Sequence, residues 1–93
     1  MRLAKDGFIL DVYYSINRKN EEAPKFIIDV DVDIRQHEFE RPESHRYTYK
    51  VNKLPRSKRP DEDVRLWLLE NSGVIKDAVN NSIITFNLEL LGM

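Results

Sequence analysis

The sequence predicts an α+β fold, in which one four-stranded, mostly antiparallel sheet carries a helix, continuous or broken in two, on one face. Apolar and polar residues alternate in four separate segments, a period of two that is typical of half-buried strands. Helical spacing of apolar residues interrupts this alternation between the third and fourth segments. The predicted order is therefore strand, strand, strand, helix, strand. One helical layer on one sheet is the simplest arrangement of these elements.

The clearest predicted strand covers residues 25–36. Its even-numbered residues are apolar and fall on one face, whereas Asp29, Asp31 and Asp33 fall on the other. A helix would scatter both sets around its circumference. Strict alternation is typical of an antiparallel sheet with one buried face, so we expect this segment to be the central strand.

Residues 8–16 and residues 45–52 show the same alternation and are predicted to be its neighbours in the sheet. Tyr47 and Tyr49 share the apolar side with Val51, so we expect them to be core aromatic residues with their hydroxyl groups at the rim. Polar connections that contain proline separate the three segments, and proline cannot donate a hydrogen bond to a strand ladder.

A helix is predicted to begin at residues 61–63, whose three acidic side chains complement the partial positive charge of a helix N-terminus. Val64, Trp67 and Leu68 follow at helical spacing. The sequence Asn-Ser-Gly at 71–73 is typical of a helix end. Apolar residues after it predict a second short helix, or a continuation past a kink at Gly73, that ends at the polar sequence Asn-Asn-Ser at 80–82.

Residues 84–90 return to alternation, with apolar Ile84, Phe86 and Leu88 separated by polar residues, and are predicted to be the fourth strand. Its place in the sheet is left open. The register of the other three strands follows from symmetric folding of their connections. The predicted partners are Lys50 and Asp11 for Asp31, Thr48 for Asp33 and Asn52 for Asp29.

Size and composition restrict the classes of protein. We expect 93 residues to form one small α+β domain, with a basic, proline-bracketed loop at 53–60. The formal charge of -1 predicts no polyanionic partner, and the absence of cysteine excludes disulfides and thiolate zinc sites. Because no signal sequence or membrane-length apolar segment is present, we expect a soluble, cytoplasmic protein.

The predicted outer face of the sheet is the main candidate site, and it contains Asp11, Tyr13, Asp29, Asp31 and Asp33. Alternate residues of a strand are about 6.5–7 Å apart, which is close to the spacing of phosphates along a nucleic-acid strand. This row of carboxylates therefore predicts a surface that binds another protein, for example a nucleic-acid-binding protein. Inhibitors of phage or mobile-element type, including anti-defence proteins, use such acidic surfaces.

Other interpretations of the acidic row remain open. The carboxylates could belong to an ordinary solvated face, where Arg35, Arg46 and Lys50 would pair with them at little gain in stability. A divalent-metal site is disfavoured because carboxylates spread along one strand converge poorly on an ion. We expect no metal and no cofactor.

A second candidate site is the basic loop, in which Lys53, Arg56, Lys58 and Arg59 precede the predicted helix. Basic loops at such positions can bind phosphates, so the alternative function is direct nucleic-acid binding.

We expect no enzyme. His37 and His45 flank a polar connection rich in glutamate, but the chain contains no nucleophile motif, phosphate loop or paired metal-ligand spacing. Unpaired sheet edges favour self-association, so a homo-oligomer or a structural assembly subunit, such as a phage head–tail component, is a third possibility.

Overall fold

The computed structural model describes residues 1–56 and 59–92, and these residues form one antiparallel sheet covered by helices on one face. The strands follow one another in chain order: β1 (Arg2–Lys5), β2 (Phe8–Lys19), β3 (Phe26–Arg35) and β4 (Glu43–Val51). The helices come last: α1 (Pro60–Glu70) and α2 (Ser72–Leu90). The predicted α+β class and four-stranded antiparallel sheet are confirmed, but the element order is different.

Strand β1 is the element that the alternation did not predict. It pairs with β2 through a two-residue turn at Asp6 and Gly7, whose φ angles are 54° and 82°. Two positive φ angles give the type of tight hairpin turn that matches the twist of the strands. The backbone N–H of Val12 donates to the Met1 carbonyl at 2.7 Å, which extends the pairing to the first residue.

The three predicted strands are confirmed as β2, β3 and β4, with their ends shifted by a few residues. Their inward side chains, together with those of the helices, form one hydrophobic core. At one end of this core, the rings of Phe8 and Phe86 meet edge to face, with centroids 5.1 Å apart. Tyr47 and Tyr49 are half-buried against the core, as predicted.

The predicted register between β3 and β4 is wrong by four residues. Asp31 lies opposite Arg46 rather than Lys50, and the same shift moves its two neighbours. The actual partners are Ser44 for Asp33 and Thr48 for Asp29. The loop closes early because the Glu40 carboxylate accepts hydrogen bonds from the backbone N–H groups of Gln36 and His37. β4 therefore begins at Glu43, two residues before its predicted start.

The predicted pairing of Asp11 with Asp31 is also wrong, because Asp11 lies opposite Asp33 and Tyr13 lies opposite Asp31. The tip of this hairpin is closed by Asn20, whose backbone N–H donates to the Lys25 carbonyl at 2.7 Å. β2 consequently runs three residues past its predicted end and contains a bulge at its far end.

The predicted fourth strand is wrong, since residues 84–90 form the second half of α2. A strand would place Ile84 and Phe86 on the same face, but Phe86 is 8% exposed and Ile84 is 55% exposed. The buried residues of α2 recur at helical spacing from Ala78 to Phe86. Ser82, which was predicted to end the helix, lies inside it because its hydroxyl donates to the Ala78 carbonyl at 2.8 Å.

The predicted helix start is confirmed by α1, although Pro60, predicted to belong to the loop, is its first residue. The predicted helix end at residues 71–73 is also confirmed. Asn71 caps α1 through its backbone N–H and its side-chain amide, both 2.9 Å from the Trp67 carbonyl. Two helices result, and in the described part of the chain neither is long and apolar enough to cross a membrane.

Candidate functional site

The face of the sheet that points away from the helices contains all five residues of the predicted partner surface. They meet there because they are odd-numbered residues of adjacent strands whose alternation is in phase. Three of the carboxylates, those of Asp11, Asp31 and Asp33, are half-buried. Asp29 is only 3% exposed, whereas Tyr13 is 53% exposed. We call this surface the outer face.

The centre of the outer face is a row formed by Tyr13 on β2, Asp31 on β3 and Arg46 on β4. The Arg46 guanidinium donates from Nε to Oδ1 of Asp31 at 2.7 Å and from Nη2 to Oδ2 at 3.4 Å. These hydrogen bonds raise the pKa of Arg46 above its ordinary value. The row therefore presents an exposed phenol beside a charge pair that holds a fixed orientation.

One row along the strands, Asp29 is buried by its neighbours on the same face. Its carboxylate accepts hydrogen bonds from Asn17 Nδ2 at 2.8 Å and from Thr48 Oγ1 at 2.9 Å. Arg46 Nη1 lies 3.7 Å away and balances part of the charge. Asn17 falls in the β-bulge, where the register between β2 and β3 shifts. The bulge thus brings an additional donor to a carboxylate that has little access to water.

On the other side of the central row, Asp11 and Asp33 lie directly opposite each other. Arg2 relieves this repulsion, since its Nε and Nη2 atoms donate to Asp11 at 2.9 and 3.2 Å. Arg35 Nη2 is 3.5 Å from the same carboxylate, and Ser44 Oγ donates to Asp33 at 2.6 Å. The hydrogen bond from Arg2 holds the pKa of Asp11 below its usual range.

Each of the four outer-face carboxylates therefore accepts a hydrogen bond from the chain itself, and the face is close to charge balance. Arg2, Asn17 and Ser44 are the three donors that sequence reasoning missed, and Ser44 was missed because the predicted register was wrong. The Asp6–Gly7 turn was a usable signal for Arg2, because Asp-Gly is a strong hairpin sequence. Nothing in the residue pattern identified the bulge that positions Asn17.

The basic loop borders a second feature, an open groove of about 940 Å³ beside the ends of β2 and β3. Lys53 and Arg56 line it, as do Lys19 and Lys25, which were not predicted. Asp63 is an acidic residue in the same lining. Of the other two predicted residues, Arg59 is not in this lining and precedes α1 with an extended backbone, and Lys58 lies outside the described residues.

The histidines predicted to flank the second connection have different surroundings. His37 is exposed in the loop, whereas His45 is half-buried on β4, with Nε2 3.9 Å from Oε2 of Glu43. A hydrogen bond to Glu89 and the charge of that residue raise the pKa of Glu43. Within residues 1–56 and 59–92, no group of three histidine, aspartate or glutamate side chains could hold a metal ion.

No protein-family model, curated protein or solved structure matched the chain in three separate comparisons. The outer face and the basic groove are therefore the basis on which function is inferred.

Proposed function

We propose that this protein is a non-enzymatic protein-binding module whose binding surface is the outer face of the sheet. The observation that carries the proposal is the central row, where a half-exposed Tyr13 stands beside the fixed Asp31–Arg46 pair on the face opposite the helices. Tyrosine and arginine are enriched at the energetic centres of protein interfaces.

The shape and stiffness of the outer face fit a protein partner better than a small ligand. A sheet face is broad and shallow, whereas small molecules are bound in concave cavities. The side chains around Tyr13 are already held by hydrogen bonds, notably those of Arg46 to Asp31 and of Thr48 to Asp29. Binding would therefore cost little further ordering of these groups.

Charge balance on the outer face determines which partner we favour. An inhibitor of phage or mobile-element type that imitates a phosphate backbone needs carboxylates free to meet the cations of its target. Here each carboxylate already accepts a donor of its own chain, as Asp33 does from Ser44. We therefore favour a partner of mixed charge, with an apolar recess for Tyr13, over a protein with a purely basic groove.

The test is a capture experiment followed by titration of the captured protein. The immobilised protein is exposed to a lysate of the source organism, with and without nuclease, and any partner that survives nuclease is purified. Its affinity is then measured for the wild type and for Tyr13→Ala and Asp31→Asn. Leu69→Ala, which changes an exposed apolar residue of α1, is the matched control.

We expect Tyr13→Ala to weaken binding by roughly tenfold or more, as truncation of a central interface tyrosine does. Asp31→Asn should weaken it less, and Leu69→Ala should leave it unchanged. If both outer-face variants bind as tightly as the wild type, the partner uses another surface and the proposal is wrong.

The basic groove favours a second candidate function, direct binding of nucleic acid. Four cationic side chains line this concave surface: Lys19, Lys25, Lys53 and Arg56. Fluorescence anisotropy with single- and double-stranded oligonucleotides at several salt concentrations tests the idea. Lys25→Ala with Lys53→Ala should weaken binding and reduce its salt dependence, because each phosphate contact releases counterions. Lys76→Ala, on the exposed face of α2, is the control.

A further inference from the structure

We propose that the free edge of β4 pairs antiparallel with the same edge of a second copy of this chain, in a register centred on Tyr47. The two four-stranded sheets would then form one continuous sheet of eight strands with two-fold symmetry. This interface lies at the edge of the sheet, whereas the proposed protein-binding surface is its outer face, so neither proposal depends on the other.

The two edges of the sheet are protected to different extents. β1 forms one edge and has only four residues, and a short strand offers few groups to another chain. β4 forms the other edge, has nine residues and contains no proline. Its pairing with β3 runs from Glu43 to Val51 without a register shift, so the strand is regular along its whole length. β4 is therefore the edge that can accept another strand.

The direction of the backbone groups can be followed across the sheet from β1. In an antiparallel strand, the N–H and C=O groups of alternate residues point to opposite neighbours. Val12 exchanges hydrogen bonds with Met1, so its backbone groups point towards the β1 edge. Those of the next residue, Tyr13, therefore point towards β3, where Asp31 is the paired residue.

The same alternation carries across β3. Because the backbone N–H and C=O groups of Asp31 point towards β2, those of the neighbouring Val30 point towards β4, where Val30 pairs with Tyr47. The odd-numbered residues of β4 thus form their backbone hydrogen bonds with β3. The groups that point out of the sheet belong to Ser44, Arg46, Thr48 and Lys50. In the described part of the chain, none of the backbone hydrogen bonds outside the helices and sheet involves these four residues.

The length of β4 favours one register of self-pairing. When Tyr47 faces Tyr47 of the second copy, Glu43 faces Val51, and all nine residues of the strand have a partner. The outward-pointing residues then face each other, because Arg46 meets Thr48 and Lys50 meets Ser44. Each of these pairs can exchange two backbone hydrogen bonds.

Side-chain charge favours the same register. Shifting one strand by two residues relative to the other would keep the hydrogen-bonding pattern but would place Arg46 against Arg46 of the second copy. A two-residue shift in the other direction would place Arg46 against Lys50. Like charges directly opposite each other on a sheet are destabilising. The register centred on Tyr47 avoids both repulsions, because it places each cation opposite a hydroxyl.

The inner face supplies an aromatic contact at the two-fold axis. Tyr47 and its copy would form a non-hydrogen-bonded pair, in which side chains approach most closely and aromatic pairs stabilise a sheet. The orientation of this side chain is already fixed, since the Tyr47 hydroxyl lies 3.0 Å from Ser82 Oγ of α2.

A register-specific cross-link tests the proposal directly. The chain has no cysteine, so Ser44→Cys with Lys50→Cys introduces the only thiols. In the proposed dimer these positions face each other with Cα atoms about 5.5 Å apart, which suits a disulfide. Within one strand they are roughly 20 Å apart and cannot react with each other. Ser44→Cys with Thr48→Cys is the control, because it keeps Arg46 and Lys50 and these positions face each other only in the register that places Arg46 against Arg46.

Under mild oxidation we expect the Ser44/Lys50 pair to give a covalent dimer at least ten times faster than the Ser44/Thr48 pair. Sedimentation equilibrium of the wild type should show a mass of twice 11.0 kDa at high concentration. A monomer mass up to hundreds of micromolar would overturn the proposal. So would equal cross-linking of the two cysteine pairs, because it would show contact without the predicted register.

A proline substitution tests the pairing of the β4 edge without changing the stability of the monomer. Lys50→Pro removes an N–H group that points out of the sheet, which an edge strand tolerates. It should raise the dimer dissociation constant by tenfold or more relative to Lys50→Ala, with the same urea midpoint for both monomers. Equal dissociation constants for the two variants would contradict the proposal. The assay uses the purified protein alone, so its outcome is independent of any partner of the outer face.

Discussion

The side-chain amide of Asn17 donates a hydrogen bond to the buried carboxylate of Asp29, with Nδ2 2.8 Å from Oδ2. The bond joins the β-bulge of β2 to a carboxylate that lies one row from the centre of the outer face. Because a buried carboxylate that loses a donor keeps its full desolvation cost, this pair should matter more to stability than an exposed ion pair does.

Asn17→Ala should lower the free energy of unfolding by ~1 kcal/mol, because the buried Asp29 carboxylate loses one of its two hydrogen-bond donors and keeps Thr48. The measurement is the urea midpoint at neutral pH. Arg18→Ala, at the next and exposed position, should change it little. Equal midpoints for the two variants would mean that Thr48 and Arg46 satisfy Asp29 without Asn17.

Phe86→Ala and Leu88→Ala test the helical assignment of the C-terminal segment. Phe86 is buried against Phe8, so its truncation should cost about 3–5 kcal/mol. Leu88 is exposed, and its truncation should change stability by less than about 0.5 kcal/mol. Urea unfolding measures both. Similar losses for the two variants would instead favour a strand, in which residues 86 and 88 share a face.

Glu89→Gln should change how stability depends on pH. Glu89 raises the pKa of Glu43 in the folded protein, so the folded state holds a proton that the unfolded state loses first. The stabilisation from the Glu43–Glu89 pair is fully present below the ordinary pKa of glutamate. It is lost as the pH rises through the raised pKa of Glu43. The variant should therefore be more stable at neutral pH, with a flatter profile in weak acid.

The pH profile of Glu89→Gln is measured by thermal unfolding between acidic and neutral pH. Glu70→Gln, at an exposed position in α1, is the control for the loss of a negative charge. His45 also faces Glu43, so the same profile in a His45→Gln background separates the two influences. A wild-type profile in the Glu89→Gln variant would contradict the assignment.

Arg2→Gln should change the pH dependence of stability in the opposite direction. Arg2 lowers the pKa of Asp11, so the stability of this pair is present at neutral pH and is lost as the pH falls through the lowered pKa. The variant should be less stable than the wild type near neutrality, and the difference should vanish in strong acid. Denaturant midpoints at several pH values measure this, with Lys76→Gln as the control. A difference that stays constant with pH would show that Arg2 acts through packing.

The three central strands could be predicted because a sheet with one covered face imposes a period of two on the sequence, as the segment around Asp29 and Asp31 shows. Alternation alone does not define register, since a shift of two or four residues preserves the face of every side chain. The register depended instead on loop contacts such as those of Glu40 with Gln36 and His37. These contacts lie within residues 36–40, but the residue types of the loop do not show which backbone groups the Glu40 side chain meets.

The C-terminal segment was misassigned because its apolar residues fit two periods at once. Ile84, Phe86 and Leu88 alternate as in a strand, while Val79, Ile83 and Phe86 continue a helical face. The helix forms because that face can bury Phe86 against the sheet, a tertiary effect. The five predicted outer-face residues were placed correctly on one surface, but the pairing that balances their charge depended on β1 and on the bulge.

The order of elements along the chain has a consequence for synthesis. All four strands lie before residue 52, and both helices that cover the sheet come after residue 59. Since the strands pair in chain order, the sheet can form as the chain leaves the ribosome, one hairpin at a time and without closing long loops. Its apolar face then stays bare until α1 and α2 pack onto it. Until then, the exposed apolar surface of the sheet leaves the nascent chain prone to misassembly.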